Sequence, residues 1–326
     1  MDLEKIHLSI EDARKLCLGI LSRQNLSIEN ASIITEHLLD AAMCGYEYSG
    51  LPKLLQLINN PKWVKKTSEI KTIYETPISK LIDGGNQSGM IVLEKASSML
   101  IDMVEKTGIG VLGVHNTWMS GRSAYYVEKI ARHKLIGIHT VGASDLVAPF
   151  GGARPSLGTN PIAMGFPSNS EPLVIDLSTA AFPGTELDFY ALLNLKLPSV
   201  VAMDEHGQET TNALEAKKGA ILPFGGHKGY ALALGFQALA ILAGSHLSPD
   251  RDYGYFFFAF KPDLLMPFNE YEKALIDLID KVKKTKTLKQ FSEIRIPGQR
   301  GQKLRDLNKV NGIYLDQKIY KQLLSI

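Results

Sequence analysis

The stretch LPFGGHKGYALAL, Leu222 to Leu234, sets two glycines and then Lys228 and Gly229 directly before a long apolar run. Backbone N–H groups left unpaired at a helix start, the positive end of the helix dipole and a lysine ammonium together favour an anion such as a phosphate. A tight turn with its lysine in water accounts for the same residues, because the spacing is not that of a P-loop. Two other short runs offer polar groups suited to a nucleotide. VIDLSTA ends an apolar run with Asp176, Leu177 and Ser178, and GTNP offers the Thr159 hydroxyl and the Asn160 carboxamide. A helix cap and a turn would use these residues equally well. A fourth stretch, MCGYEYSGLPKLLQLI (Met43 to Ile58), crowds Tyr46, Glu47, Tyr48 and Ser49 into a corner between two helical patterns. Either the rings pack beneath that corner or it faces a ligand.

The elements that must position these groups fall into two textures. Ser9 caps IEDARKLCLGILSRQ, and Ser27 caps a second helix that runs to Gly45. Apolar spacing predicts a third helix, MIVLEKASSMLIDMVEKTG, closed by Gly108. The N-terminal region is thus expected to be a helical lobe. From there IGVLGVHN, LIGIHTVG, IAMGFPS, PLVIDLS and YGYFFFAFKP read as strands, with one good helix, GRSAYYVEKIARHK, among the first four. The apolar run after Gly229 is expected to be a buried helix, and NEYEKALIDLIDKVKKTK a charged one. The spacing is not the regular alternation of a doubly wound sheet. The expected class is α/β, with a helical N-terminal lobe followed by a strand-rich region. The one literal GxGxxG, at Gly108, Gly110 and Gly113, has a helix before it and a strand after, the reverse of a dinucleotide fingerprint.

Bulk properties remove several function classes. A chain of 326 residues is large enough for two lobes. A formal charge of +2 does not indicate a nucleic-acid surface, and the basic run Lys281 to Lys289 reads as a solvated helix end. Two cysteines, Cys17 and Cys44, are too few for a disulfide framework or a zinc site and fit the cytoplasm. No apolar run approaches the ~20 residues of a membrane span.

Taken in order, NTWMSGRSAYYVEKIA, VAPFGG, LGTNPIA, VIDLSTA and LPFGGHKGYALAL resemble the malate/L-lactate dehydrogenase family that lacks a Rossmann fold. That family also holds ureidoglycolate, sulfolactate and diketogulonate oxidoreductases and the cyclic ketimine reductases. The resemblance runs from about Ser9 to IPGQRG, with VNGIYL as the closing strand. It implies a homodimer that transfers hydride between NAD or NADP and a C=O or C=N carbon of a small molecule. It implies an α/β fold with a helical substrate lobe over 1–118 and 299–326 and a non-Rossmann, mostly antiparallel-sheet cofactor domain over 119–298. It places cofactor contacts at Ser144, Thr159, Asn160, the Asp176–Ser178 run, Lys228, Gly229 and Arg300, and substrate contacts at Lys53, Met119, Asp145 and Thr159.

The same resemblance exposes a departure. The family corner reads glycine, an acid, Ser-His-Gly and then an arginine. Here Glu47 falls on the acid, Tyr48 on the serine, Ser49 on the histidine and Lys53 on the arginine. Met119 occupies the place of a second family histidine. The resemblance makes the first histidine the proton donor and the arginine the carboxylate clamp. A serine hydroxyl does not serve as a general acid at pH 7 unaided, and such an acid contributes about 10²–10⁴-fold. Three outcomes stay open: reduction of an imine or other non-standard acceptor, a 2-oxoacid reductase with Tyr48 or Glu47 as substitute acid, or a dinucleotide-binding relative without activity.

Overall fold

The computed structural model describes residues 4–326. The chain opens with strand β1 (Lys5–Leu8) and helices α1 (Ile10–Ser22) and α2 (Ile28–Met43). The Ser9 and Ser27 hydroxyls accept the Asp12 and Asn30 N–H groups, as expected of the two caps. After the corner comes α3 (Pro52–Ile58), begun by a proline where no N–H is needed. A hairpin follows, β2 (Lys71–Thr76) and β3 (Ser79–Asp83), inside the region expected to be a helical lobe. The mixture of charged residues with single Ile, Tyr and Leu conceals it, because its outer strand lies at a sheet edge and is almost wholly exposed. Then come α4 (Gly89–Thr107) and β4 (Ile109–His115), joined at Gly108 with φ +84°.

The rest alternates less regularly. It comprises α5 (Ser123–Arg132), β5 (Ile136–Gly142), β6 (Ile162–Phe166), β7 (Leu173–Leu177) and α6 (Gly184–Leu193). Next are β8 (Ala202–Met203), α7 (Ala213–Lys218), β9 (Ala220–Ile221) and α8 (His227–Leu242). The chain closes with β10 (Gly254–Phe260), α9 (Phe268–Lys283), α10 (Gln299–Asn311), β11 (Ile313–Asp316) and α11 (Gln317–Leu324).

The main sheet has seven strands in the order β2-β3-β4-β10-β5-β6-β7, and only β3 and β4 run parallel. A sheet so nearly antiparallel is not a dinucleotide fold of the doubly wound kind. It draws strands from both sides of residue 118. β1 and β11 pair antiparallel and tie the two chain ends together. One core joins α1, α2, α3 and α11, and a second lies between the sheet and α4 and α5.

Helix α8 departs from the expectation of burial. Gly229, Ala233 and Ala240 are its buried residues, while Leu232, Leu234, Ile241 and Leu242 are exposed, the last by 69%. The cause is close approach. An added Cβ at Gly142 would stand 2.4 Å from Ala240 Cβ, and one at Gly254 would stand 2.2 Å from the Ala240 carbonyl oxygen. The helix lays its small residues on β5 and β10, and the large ones are left to face outward.

Candidate active site

Two layers of chain enclose a cleft of about 320 Å³. One wall comes from α3, through Lys53 and Gln56, and from the start of α6, through Gly184, Thr185 and Asp188. The other is the end of β5 with Ser144 and Asp145, joined by Thr159 and the rings of Tyr253 and Tyr255. Between them runs the loop Met119–Gly121. A concave site of this size with convergent polar groups suits a small organic ligand.

The loop floor is rigidly built. Met119 and Gly121 have φ of +56° and +77°. Gly121 is required, since a Cβ there would meet the His37 ring. His37 Nε2 accepts the Arg122 N–H at 2.8 Å, and Tyr126 donates its hydroxyl to the Ser120 carbonyl at 2.6 Å. Burial pushes the His37 imidazole down to about 3, so it sits neutral beneath the loop. The Arg122 side chain donates to Asp40 at 2.5 Å. Asp40 also accepts from Arg305, which forks onto both oxygens of Glu128 at 2.5 and 2.6 Å. One buried ionic cluster thus clamps α2, α5 and α10 behind the site.

Lys53 is the buried cation of the cleft, only 5% exposed. Its Nζ donates to Thr185 Oγ1 at 2.9 Å. Among the described residues no carboxylate lies within ion-pair distance of it. Burial pushes the ammonium down to about 8, against the opposing pull of the Asp188 carboxylate. Asp188 itself pairs with Lys217 at 2.6 Å across the cleft rim.

The sequence candidates sort into four groups. Lys53, Met119, Ser144, Asp145 and Thr159 line the one cleft. Asp176 and Leu177, at the end of β7, line an adjoining cavity of about 380 Å³ together with Arg122 and Gly298. Asp176 Oδ2 there accepts the Ala124 N–H at 2.8 Å. A third group is joined through the Thr159 and Thr179 backbones. Ser178 and Thr179 hydroxyls both donate to the Thr159 carbonyl at 2.9 Å, and the Phe224 N–H donates to the Thr179 carbonyl at 2.8 Å. Gly229 packs against the same carbonyl, and a Cβ there would stand 2.2 Å from the Phe224 oxygen. Lys228, one residue earlier, is exposed and has no acidic side chain within ion-pair distance among the described residues. Asn160 is fully buried and committed inside the protein, with Nδ2 on the Ala233 carbonyl and Gln237 and Oδ1 on the Ala143 N–H. It braces the cleft wall, and its amide is not available to a ligand as the sequence reading expected. Arg300 stacks over the Tyr46 ring at 5.9 Å.

The fourth group is the corner, and here the acid candidates are corrected. Glu47 turns to the opposite side and accepts from Lys5 at 2.7 Å. Tyr48 packs against the helical core, and burial, followed by the Glu186 carboxylate, pushes its phenol well up from the usual value. Ser49 is half-buried in the 3₁₀ turn Glu47–Ser49 and does not line the cleft. Thr185, Asp188 and Lys217 were missed. Thr185 carried a faint signal, since FPGTELDF places it just after a proline at a helix start.

Two glycines with φ of +57° and +62°, Gly225 and Gly226, bring the chain into α8, so that its first turn meets the Thr159–Thr179 junction. The N–H groups of Gly226, Lys228, Gly229 and Tyr230 are taken by carbonyls of the turn itself. Those of Gly225 and His227 stay free among the described residues, beside the Lys228 side chain, and fit a dinucleotide phosphate. When bound, a reduced nicotinamide would supply hydride.

The fold is an α/β protein on a non-Rossmann, mostly antiparallel sheet, and its relatives make it an oxidoreductase. The malate/L-lactate dehydrogenase family model matches residues 8–324, and the chain belongs to that family. It is 32% identical to the malate/(S)-sulfolactate dehydrogenase of Methanothermus fervidus, covering 98% of this chain and 96% of that one. The sulfolactate dehydrogenase structure from Methanocaldococcus jannaschii superposes with a TM-score of 0.83 at 30% identity, covering 98% and 95% of the two chains. A Δ(1)-pyrroline-2-carboxylate reductase of Burkholderia ambifaria is 25% identical over 99% of this chain and 98% of its own. Among the described residues no helix is long and apolar enough to cross a membrane.

Proposed function

We propose that the protein is a cytoplasmic NAD(P)H-dependent reductase that delivers hydride to the C=O or C=N carbon of a small carboxylate-bearing substrate. The observation that carries this reading is the single cleft shared by Lys53, Met119, Ser144, Asp145 and Thr159, next to the junction of Thr159, Thr179 and Gly229. The relatives named for sulfolactate, malate and pyrroline-2-carboxylate agree in having a carboxylate beside the reacting carbon. A panel of 2-oxoacids and cyclic ketimines, each with NADH and with NADPH, tests it by loss of reduced-nicotinamide absorbance. Dinucleotide binding without turnover on any member would favour the inactive relative.

Lys228→Ala is expected to weaken dinucleotide affinity about tenfold, as loss of one charge-assisted phosphate contact of about 1.5 kcal/mol would do. The melting temperature without cofactor should change little, because the side chain is exposed. A fall in that temperature with affinity intact would assign Lys228 to the turn instead.

We also infer a homodimer. The outward Leu232, Leu234, Ile241 and Leu242 of α8, with Phe224 at 55% exposure, give an apolar face that a monomer leaves wet. Sedimentation should return twice the 35.9 kDa chain mass, and Leu242→Asp should shift it toward the single chain.

A further inference from the structure

Resting on the reading of this chain as a reductase, we propose that Lys53 is the general acid of the reaction and that this lets the enzyme reduce 2-oxoacids without the family histidine.

The argument begins with elimination along the cleft wall. Glu47 faces Lys5, Tyr46 lies under Arg300 in the adjoining cavity, Tyr48 packs against the helical core and Ser49 is outside the lining, so the corner presents no acid to the cleft. His37 lies behind Gly121 with Nε2 committed to the Arg122 N–H. Burial pushes the phenols of Tyr253 and Tyr255 up, which leaves them poor donors near neutrality. Lys217, the other ammonium of the lining, is exposed at the rim and paired with Asp188. Asp145 and Asp188 are carboxylates, a class of group that holds no proton to give near neutrality. Lys53 remains, facing the Asp188 charge and held at the wall by Thr185 alone. An ammonium has three hydrogens. One goes to Thr185 Oγ1, and two are left to point into the cleft. The carbonyl oxygen of a 2-oxoacid and one oxygen of its carboxylate lie on the same side of the molecule, so a single ammonium can bind both.

As the carbonyl carbon gains hydride from the reduced nicotinamide, the C=O π pair moves onto oxygen. That oxygen takes a proton from Lys53 Nζ. The products are the 2-hydroxyacid, the oxidised dinucleotide and a neutral Lys53 amine, which recovers its proton from water. The shift of Lys53 to about 8 suits this role, since an acid works best when its pKa lies near the operating pH. An arginine at this position would bind the carboxylate but would not give up a proton. The loss of the histidine and the change to lysine are then one exchange of chemistry.

Lys53→Arg separates binding from proton transfer. It should lower kcat for a 2-oxoacid by about 10²–10⁴-fold while KM changes by less than about tenfold. It should also abolish the decline of kcat expected of the wild type as pH rises above about 8. A cyclic ketimine supplied as its protonated iminium already carries its proton, and its reduction should be spared. A readout independent of turnover is acylation of Lys53 in the cofactor-free protein, followed by mass spectrometry across pH. Half-maximal reactivity should fall near 8. Retention of 2-oxoacid kcat in the arginine variant, equal loss on both substrate types, or acylation only above pH 10 would each overturn the proposal. If the wild type binds no dinucleotide or turns over nothing, the reductase reading itself fails and the proposal falls with it. If the wild type is active and Lys53→Arg is indifferent, only the proposal falls.

Discussion

Glu128→Ala should destabilise the protein by about 3–5 kcal/mol at pH 7, the range for breaking a buried charge pair by removing one partner. Both Glu128 oxygens are held by the Arg305 fork, and one also accepts from Arg132 at 2.9 Å. The carboxylate side chain is 10% exposed, as is that of Arg305. Without it Arg305 keeps Asp40 and loses its bidentate partner in a setting where water cannot substitute. The pH dependence has a defined sign. Burial pushes the Glu128 carboxyl up, but the hydrogen bonds and charge of Arg305, then Arg132 and Arg122, outweigh it and hold the group down at about 2. A carboxylate with a depressed folded-state pKa contributes stability that is present above its unfolded value of about 4.3 and lost as pH falls toward 2. Urea unfolding should therefore show a wide gap between wild type and Glu128→Ala at pH 7, narrowing near pH 3. An equal gap at both pH values would mean that packing, not charge, accounts for the loss.

How much of this was legible in the residues depends on range. Ser9, Ser27 and Gly108 act on their own neighbours within a few positions, and caps of that kind can be read from sequence. The strands around Val111, Ile138 and Phe257 were legible because both faces of the central sheet are covered, which leaves nearly continuous apolar runs. The β2–β3 hairpin was not, since an exposed edge strand carries no such pattern. The anatomy of the site divides in the same way. GTN, DLST and GGHKG were recognisable as segments, yet that they meet at the Thr159 and Thr179 carbonyls is a matter of packing. Asn160 shows the cost of reading residue type alone. A carboxamide in a Gly-Thr-Asn-Pro turn has the chemistry of a ligand contact, and here it is fully occupied in bracing one wall against α8. The acid candidates of the corner show that direction is not legible from residue type: Glu47 pairs with Lys5, Tyr48 packs on the helical core, and none of the three residues of the 3₁₀ turn lines the cleft. The family resemblance places Lys53 beside the substrate, but its burial, which decides its chemistry, arises from packing with α6, more than a hundred residues away.

That burial has a stability cost, which gives the second large expectation: Lys53→Met should make the protein more stable, not less. In the unfolded chain lysine titrates near 10.5, and in the folded one at about 8. A gap of that size is worth about 3 kcal/mol against folding wherever the group is charged in both states. The full penalty applies below about pH 8. Between 8 and 10.5 the unfolded chain still binds the proton and the folded one does not, so wild-type stability should rise with pH. Methionine matches the length of the stem and carries no charge, but it strands the Thr185 hydroxyl at a loss of about 1 kcal/mol. The net gain at pH 7 is then about 2 kcal/mol, accompanied by loss of 2-oxoacid reduction, the usual exchange of stability for function at a working site. Denaturant unfolding from pH 7 to 10.5 measures both parts. Wild type and Lys53→Met should converge as pH rises, because the variant lacks the rising limb. A variant no more stable than wild type at pH 7, with the same slope above pH 8, would mean that Lys53 is not held as a strained cation, and the case for its acidity would go with it.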